Sequence, residues 1–326
     1  MAVDFHTLIS HNKRNSWILV FCFVVFVAVL GAVIGYATGA YAGGPEVGYT
    51  YGFGLTALAV IIAVVGSLIS YYGGASAILS MSKARRIDRS DDPQLFNVVE
   101  EMAIAAGVPV PKVYLIDDTA SNAFAAGRDP QHGVLAITTG LRGKLSRDEL
   151  QGVIAHEMSH IRHFDIRFAV LMATLVGVVV LLCDMYLRSM WRGGGRVRTR
   201  SRRSRRSGGG GAAAILLVIA LLLAIVAPIL AKFIEMAFSR QREFLADAGA
   251  VELTRNPDGL AGALAKISTD PEVLEVANRA TAPMYIVHPI KNFEDRASSI
   301  FDSHPPIKDR IQRILSLKTG EQVSWV

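Results

Sequence analysis

The chain has 326 residues, 51 % of them hydrophobic, and a positive mean hydropathy. That length allows two or three structural units, and that apolar share is high for a soluble protein. The formal net charge is +6, but nine arginines crowd between Arg188 and Arg206, so the rest of the chain is slightly acidic and the basicity describes one segment, not a basic fold. Cys22 and Cys183 both lie in apolar runs, which excludes a disulfide framework and a cysteine-type zinc site. Any metal here is held by histidine and carboxylate.

No charged residue occurs from Asn15 to Pro45, nor from Val47 to Ser82. About 20 apolar residues cross a bilayer. These runs read as spanning helices near 16–37 and 53–74, joined by a turn around Gly43-Gly44-Pro45. The first run is too long for a signal-peptide core and has no convincing cleavage site, so it is read as a span. Lys13 and Arg14 precede this hairpin, and Lys83, Arg85, Arg86 and Arg89 follow it. By the positive-inside rule that end is cytoplasmic.

Next comes "DPQLFNVVEEMAIAAG". Pro93 fits the first position of a helix, Leu95, Val98, Val99, Met102 and Ala106 share one face, and Gly107 is a natural stop. Three short strand candidates follow, "KVYLID", "AFAAG" and "GVLAITTG", enough for a small sheet. No dinucleotide-binding glycine fingerprint, Walker motif or internal repeat is present.

A helix then opens at Ser146, with Glu149 completing a capping box, and carries "HEMSH". His156 and His160 are four residues apart, so both imidazoles leave one helix face and can bind a single Zn²⁺. Glu157, one residue round, is placed to act as general base toward water. A catalytic zinc needs a third protein ligand. The metzincin pattern asks for glycine and histidine where this chain has His163 and Ile166, so that class is excluded. Glu243 in "SRQREFLADAGA" is the best candidate, although spacing alone fits an exposed helix glutamate equally well. Asp247, one turn on, is placed to hydrogen-bond a ligand imidazole.

Two further apolar runs, Phe168–Leu187 and Ala212–Ala231, flank a low-complexity segment rich in glycine, arginine and serine. That loop reads as a solvated linker touching anionic lipid headgroups; RNA binding is the lesser alternative. His156, His160 and Glu243 must meet at one metal, so both runs span or neither does. If both span, the arginine loop lies on the outer face, against the positive-inside rule. A shallow, non-spanning second hairpin is the alternative.

Four motifs in order, "SNAFAAG", "HEMSHIRHFD", "SRQREFLAD" and "SHPPIKDRI", together with the four apolar segments, give a near full-length resemblance. The chain resembles HtpX-type membrane zinc metalloproteases, bacterial and archaeal relatives of the CAAX prenyl proteases. The resemblance implies that Glu243 is the third zinc ligand and Glu157 the general base, with one Zn²⁺ per chain. It implies that Asn122 and Ala123 lie on a strand that pairs with substrate backbone. It places His304 and Arg310 near the site, where stabilising the oxyanion is the natural role; helix capping ahead of Pro305 is an alternative for His304. His163 has no counterpart.

The expected fold is mainly α, of α+β type: four membrane segments and a zincin-like (gluzincin) catalytic domain with a small β-sheet. Residues 1–82 form the first membrane hairpin, 83–166 the first catalytic part, 167–232 the second apolar hairpin with its loop at 188–211, and 233–326 the second catalytic part. The expected activity is zinc-dependent hydrolysis of membrane or misfolded polypeptides in quality control. The expected location is the cell membrane, multi-pass, with the site facing the cytoplasm. Membrane lipids and polypeptides are the expected partners, and no nucleic acid; the sequence sets no oligomeric state. A CAAX-type prenyl endoprotease and a catalytically silent scaffold are the rival readings.

Overall fold

The computed structural model describes residues 5–175, 240–275, 284–286 and 305–319. Helix α1 (Phe5–Gly43) and helix α2 (Pro45–Met81) are separated by one residue, Gly44. Gly44 has φ +88°, a left-handed value that glycine adopts without a Cβ penalty, and Pro45 then sits where a missing N–H leaves no bond unmade. Both helices extend beyond the expected spans, and no proline interrupts either one after its first position. Ile9–Val33 and Pro45–Met81 are long and apolar enough to cross a membrane. A Cβ on Gly35 would lie 2.5 Å from the Tyr51 carbonyl oxygen, and one on Gly39 would lie 2.6 Å from that of Val47. Small residues thus let the two backbones touch, as in membrane helix pairs. Trp17, Phe21, Phe53 and Ile69 point outward and are largely exposed, as side chains facing lipid would be.

A helix covers residues 165–175, which include the start of the second apolar segment. The remainder of both runs, the arginine loop and His304 lie outside the described residues. The chain divides into two units, one within Met1–Ser16, Tyr71–Ala173 and Glu235–Val326, the other within Trp17–Ser70 and Thr174–Ile234.

In the first unit, α3 (Pro93–Ala106) begins and ends as its sequence demands. The Asp92 side chain accepts from Leu95 N–H, Pro93 opens the helix, and Gly107 closes it at φ +65°. The sheet contains the three expected strands, β2 (Lys112–Ile116), β3 (Ala123–Ala126) and β4 (Val134–Thr138), and a fourth, β1 (Arg85–Arg86). Two exposed arginines carry no apolar alternation, so β1 had no sequence signal. The order is β1-β2-β4-β3, with β2 parallel to β4 and the other pairs antiparallel. This leaves β3 at an edge. A short helix, α4 (Thr139–Lys144), capped by Thr138, follows β4.

Helix α5 (Arg147–Arg162) starts with the expected capping box between Ser146 and Glu149. Its apolar side, Leu150, Val153, Ile154, Met158 and Ile161, packs with α3 and one face of the sheet, and with Leu260, Leu264 and Ile267 of α7 (Pro257–Ser268). The other sheet face, through Ile116, Phe124, Val134 and Ala136, packs on Ile78 and Leu79 at the end of α2. Helix α6 (Arg240–Thr254) lies directly against α5, because a Cβ on Gly249 would collide with the Ser159 side chain. Helix α8 (Ile307–Thr319) begins just after Pro305 and Pro306.

Candidate metal centre

Helix α5 carries His156 and His160 one turn apart, with ring centroids 4.8 Å apart and planes nearly perpendicular. Helix α6 brings Glu243 to the same point. The two Nε2 atoms are 3.2 Å apart, and Glu243 oxygens lie 3.7 Å from each. A tetrahedral ion with ligands at about 2.0–2.1 Å has donor atoms roughly 3.3 Å from one another. These three side chains, with ligand atoms all within 4.8 Å, therefore fit a metal ion, and two imidazoles with one carboxylate are donors zinc favours.

The far side of each ring explains why the lone pairs converge. His156 Nδ1 lies 3.0 Å from Asp247 Oδ1, and His160 Nδ1 lies 3.0 Å from Asp165 Oδ2. A carboxylate only accepts, so each Nδ1 carries a hydrogen, which leaves Nε2 of each ring as the atom available to a metal. Asp247 is held in turn by Arg310 of α8, whose Nε and Nη2 donate to its two oxygens at 2.8 and 2.7 Å. Arg310 also donates to the Ile286 carbonyl at 3.1 Å and lies 3.4 Å from Glu243. It is fully buried.

Charge follows these contacts. Burial opposes ionisation of Asp247, but the Arg310 guanidinium and His156 outweigh it and hold the carboxyl below its usual range. Burial likewise opposes the charged form of His160, yet its bond to Asp165 and the nearby Glu243 carry it up to about 9. An arriving cation displaces that proton. Glu157 is buried beside the triad; desolvation, assisted by Glu243, pushes its carboxyl up to about 7.

Asn122 is buried at the start of the edge strand. Its side-chain oxygen accepts from Ala123 N–H, and its carbonyl accepts from Thr138 N–H of β4. The Ala123 carbonyl points the other way and accepts from Ile286 N–H at 3.0 Å. His163 caps the end of α5, and burial pushes its imidazole down to about 4. Asp165 was missed in the sequence. It follows the end of α5, where helical spacing no longer says what faces His160.

The structure thus brings together His156, Glu157, His160, Glu243, Asp247 and Arg310 in one cluster, in which all but the half-buried His160 are buried. The model of peptidase family M48 matches residues 89–318, which contain all of them. A protein described as "Protease HtpX homolog" from Listeria innocua is 46 % identical over 310 residues, covering 94 % of this chain and 97 % of that one. One of the same description from Lactiplantibacillus plantarum is 42 % identical over 312 residues, 95 % and 98 % of the two chains. Another from Dictyoglomus thermophilum is 41 % identical over 310 residues, 95 % and 94 %. Among solved structures, Ste24p from S. mikatae matches with a TM-score of 0.45 and 17 % identity, covering 78 % of this chain and 57 % of that one. A family match across most of the catalytic unit and relatives aligned over nearly the whole length lead to one conclusion: the chain belongs to peptidase family M48, in its HtpX group, and is a membrane metalloprotease.

Proposed function

We propose that this chain binds one Zn²⁺ through His156, His160 and Glu243 and hydrolyses peptide bonds of membrane or misfolded polypeptides, as a quality-control endopeptidase. The observation that carries the reading is the convergence of those three donors beside a buried Glu157. Bound there, Zn²⁺ supplies Lewis acidity, acidifying water and polarising the scissile carbonyl. Glu157 takes the proton from the attacking water and passes it to the leaving amine. Burial of the Glu157 carboxyl raises its proton affinity, which suits a group that must both accept and return a proton. Asp247 and Asp165 hold the two imidazoles in the tautomer that leaves Nε2 free to ligate.

The contacts of Arg310 support a positioning role behind His156 in place of the oxyanion role expected from sequence, since its donors are directed at Asp247 and the Ile286 carbonyl. His304 stays the oxyanion candidate from its motif. Edge strand β3, from Asn122 and Ala123 onward, is the surface we assign to substrate backbone, by strand addition. A substrate using the Ala123 carbonyl takes the place of Ile286 N–H there.

The flanking Lys13, Arg14, Lys83, Arg85 and Arg86 support a cytoplasm-facing site in a multi-pass protein of the cell membrane. Membrane lipids around the apolar helices and polypeptide substrates are its partners. The assembled donor set argues against a silent scaffold, and the HtpX relatives do not favour a CAAX-type prenyl endoprotease. Elemental analysis of purified protein is expected to find one zinc per chain, lost in Glu243→Ala together with proteolysis. Full zinc in that variant would move the third ligand elsewhere.

A further inference from the structure

We infer that Asn12, on the part of α1 that precedes the long apolar stretch, is a positioning residue for the metal ligand His160. The inference rests on the zinc-peptidase reading above. Asn12 is buried, with 6 % of its surface exposed. Its amide nitrogen has two hydrogens and two acceptors: Asp165 Oδ1 at 2.5 Å and the His163 carbonyl at 2.9 Å.

Those acceptors flank Phe164, which has φ +64°. A bulky residue in the left-handed region is strained and persists only where its surroundings impose it. Here they do. Asn12 grips the turn on both sides, and Lys13 Nζ sits 4.3 Å above the Phe164 ring, with the Arg167 guanidinium 5.0 Å from the same ring. Arg242 of α6 comes to 4.0 Å from Asp165 Oδ1. One oxygen of Asp165 is thus fixed by α1 and α6, while the other meets His160 Nδ1.

The chain of contacts therefore runs from Asn12 through Asp165 to His160. Without the Asn12 amide, the turn loses its grip on both sides of a strained residue, and Asp165 is free to swing from the imidazole. The ligand ring then gains rotational freedom, which the metal must remove on binding. The residues that direct a zinc ligand thus include one on the helix that continues into the first apolar span.

The test uses full-length protein in detergent. Zinc affinity is measured by competition with a chromophoric chelator, and ligand geometry by the visible spectrum of the Co²⁺-substituted protein. Asn12→Leu removes both donors while keeping a side chain branched at the same atom, and Asn12→Ser retains one shorter donor, so loss of folding in one variant does not end the experiment. Loss of a partner behind a ligand typically weakens metal binding 10–100-fold, so about tenfold is expected for the leucine variant and less for serine. The Co²⁺ spectrum should change in parallel. Combining Asn12→Leu with Asp165→Ala should add little to Asp165→Ala alone. Wild-type affinity and spectrum in the variants overturn the inference, as does a lower melting temperature with affinity unchanged. Failure of the wild type to bind zinc overturns the metal reading, and this inference with it.

Discussion

Arg310 has no exposed surface, and Asp247, its partner, has 1 %. Two charges so placed depend on each other, and removing Arg310 leaves the buried Asp247 carboxylate with the His156 N–H but no facing cation. Arg310→Met is therefore expected to destabilise the protein by about 3–5 kcal/mol. It should also weaken zinc binding, because Asp247 loses the orientation that directs His156. Denaturant titration with zinc analysis on the same samples checks this; stability within 1 kcal/mol of wild type would show that the pair is not coupled as described. At this scale the sequence was legible where spacing on one helix decides geometry. His156, Glu157 and His160 needed only the periodicity of α5. Asn12 and Asp165 were not legible, because their contact spans 153 positions and neither residue lies in a periodic pattern.

The elements were legible to the extent that their ends carry chemistry. Asp92-Pro93 and Gly107 bound α3, and Ser146 with Glu149 opens α5, as their residue types require. β1 and α4 were not legible, since one is two exposed arginines and the other a six-residue helix directly after a strand. Which helix packs on which is written in small residues more than in apolar period. Gly249 faces Ser159, which lies between the two histidines on α5, and only a missing side chain allows α6 that close. Gly249→Val is thus expected to push α6 outward and draw Glu243 away from the imidazoles. Zinc affinity should fall at least as far as for loss of a partner behind a ligand, about 10–100-fold. Zinc titration of the folded variant checks this, and wild-type affinity would mean that α6 reaches the metal by some other registration.

For the whole molecule, two helices among the described residues are long and apolar enough to cross a membrane, and the catalytic unit is built from segments before and after the second pair of apolar runs. The proposed orientation has a direct test in a background with Cys22 and Cys183 replaced. Ser90→Cys should react with an impermeant maleimide only after lysis, and labelling in intact cells would reverse the assignment. The central claim is narrower: a buried carboxylate beside a His-His-Glu metal site does the proton transfer. Glu157→Gln keeps all three ligands and nearly the same shape. Purified Glu157→Gln, assayed on a casein-type substrate in detergent alongside its zinc content, should hold one zinc per chain and show no turnover above background. A zinc-loaded Glu157→Gln that cleaves at near the wild-type rate would contradict the account.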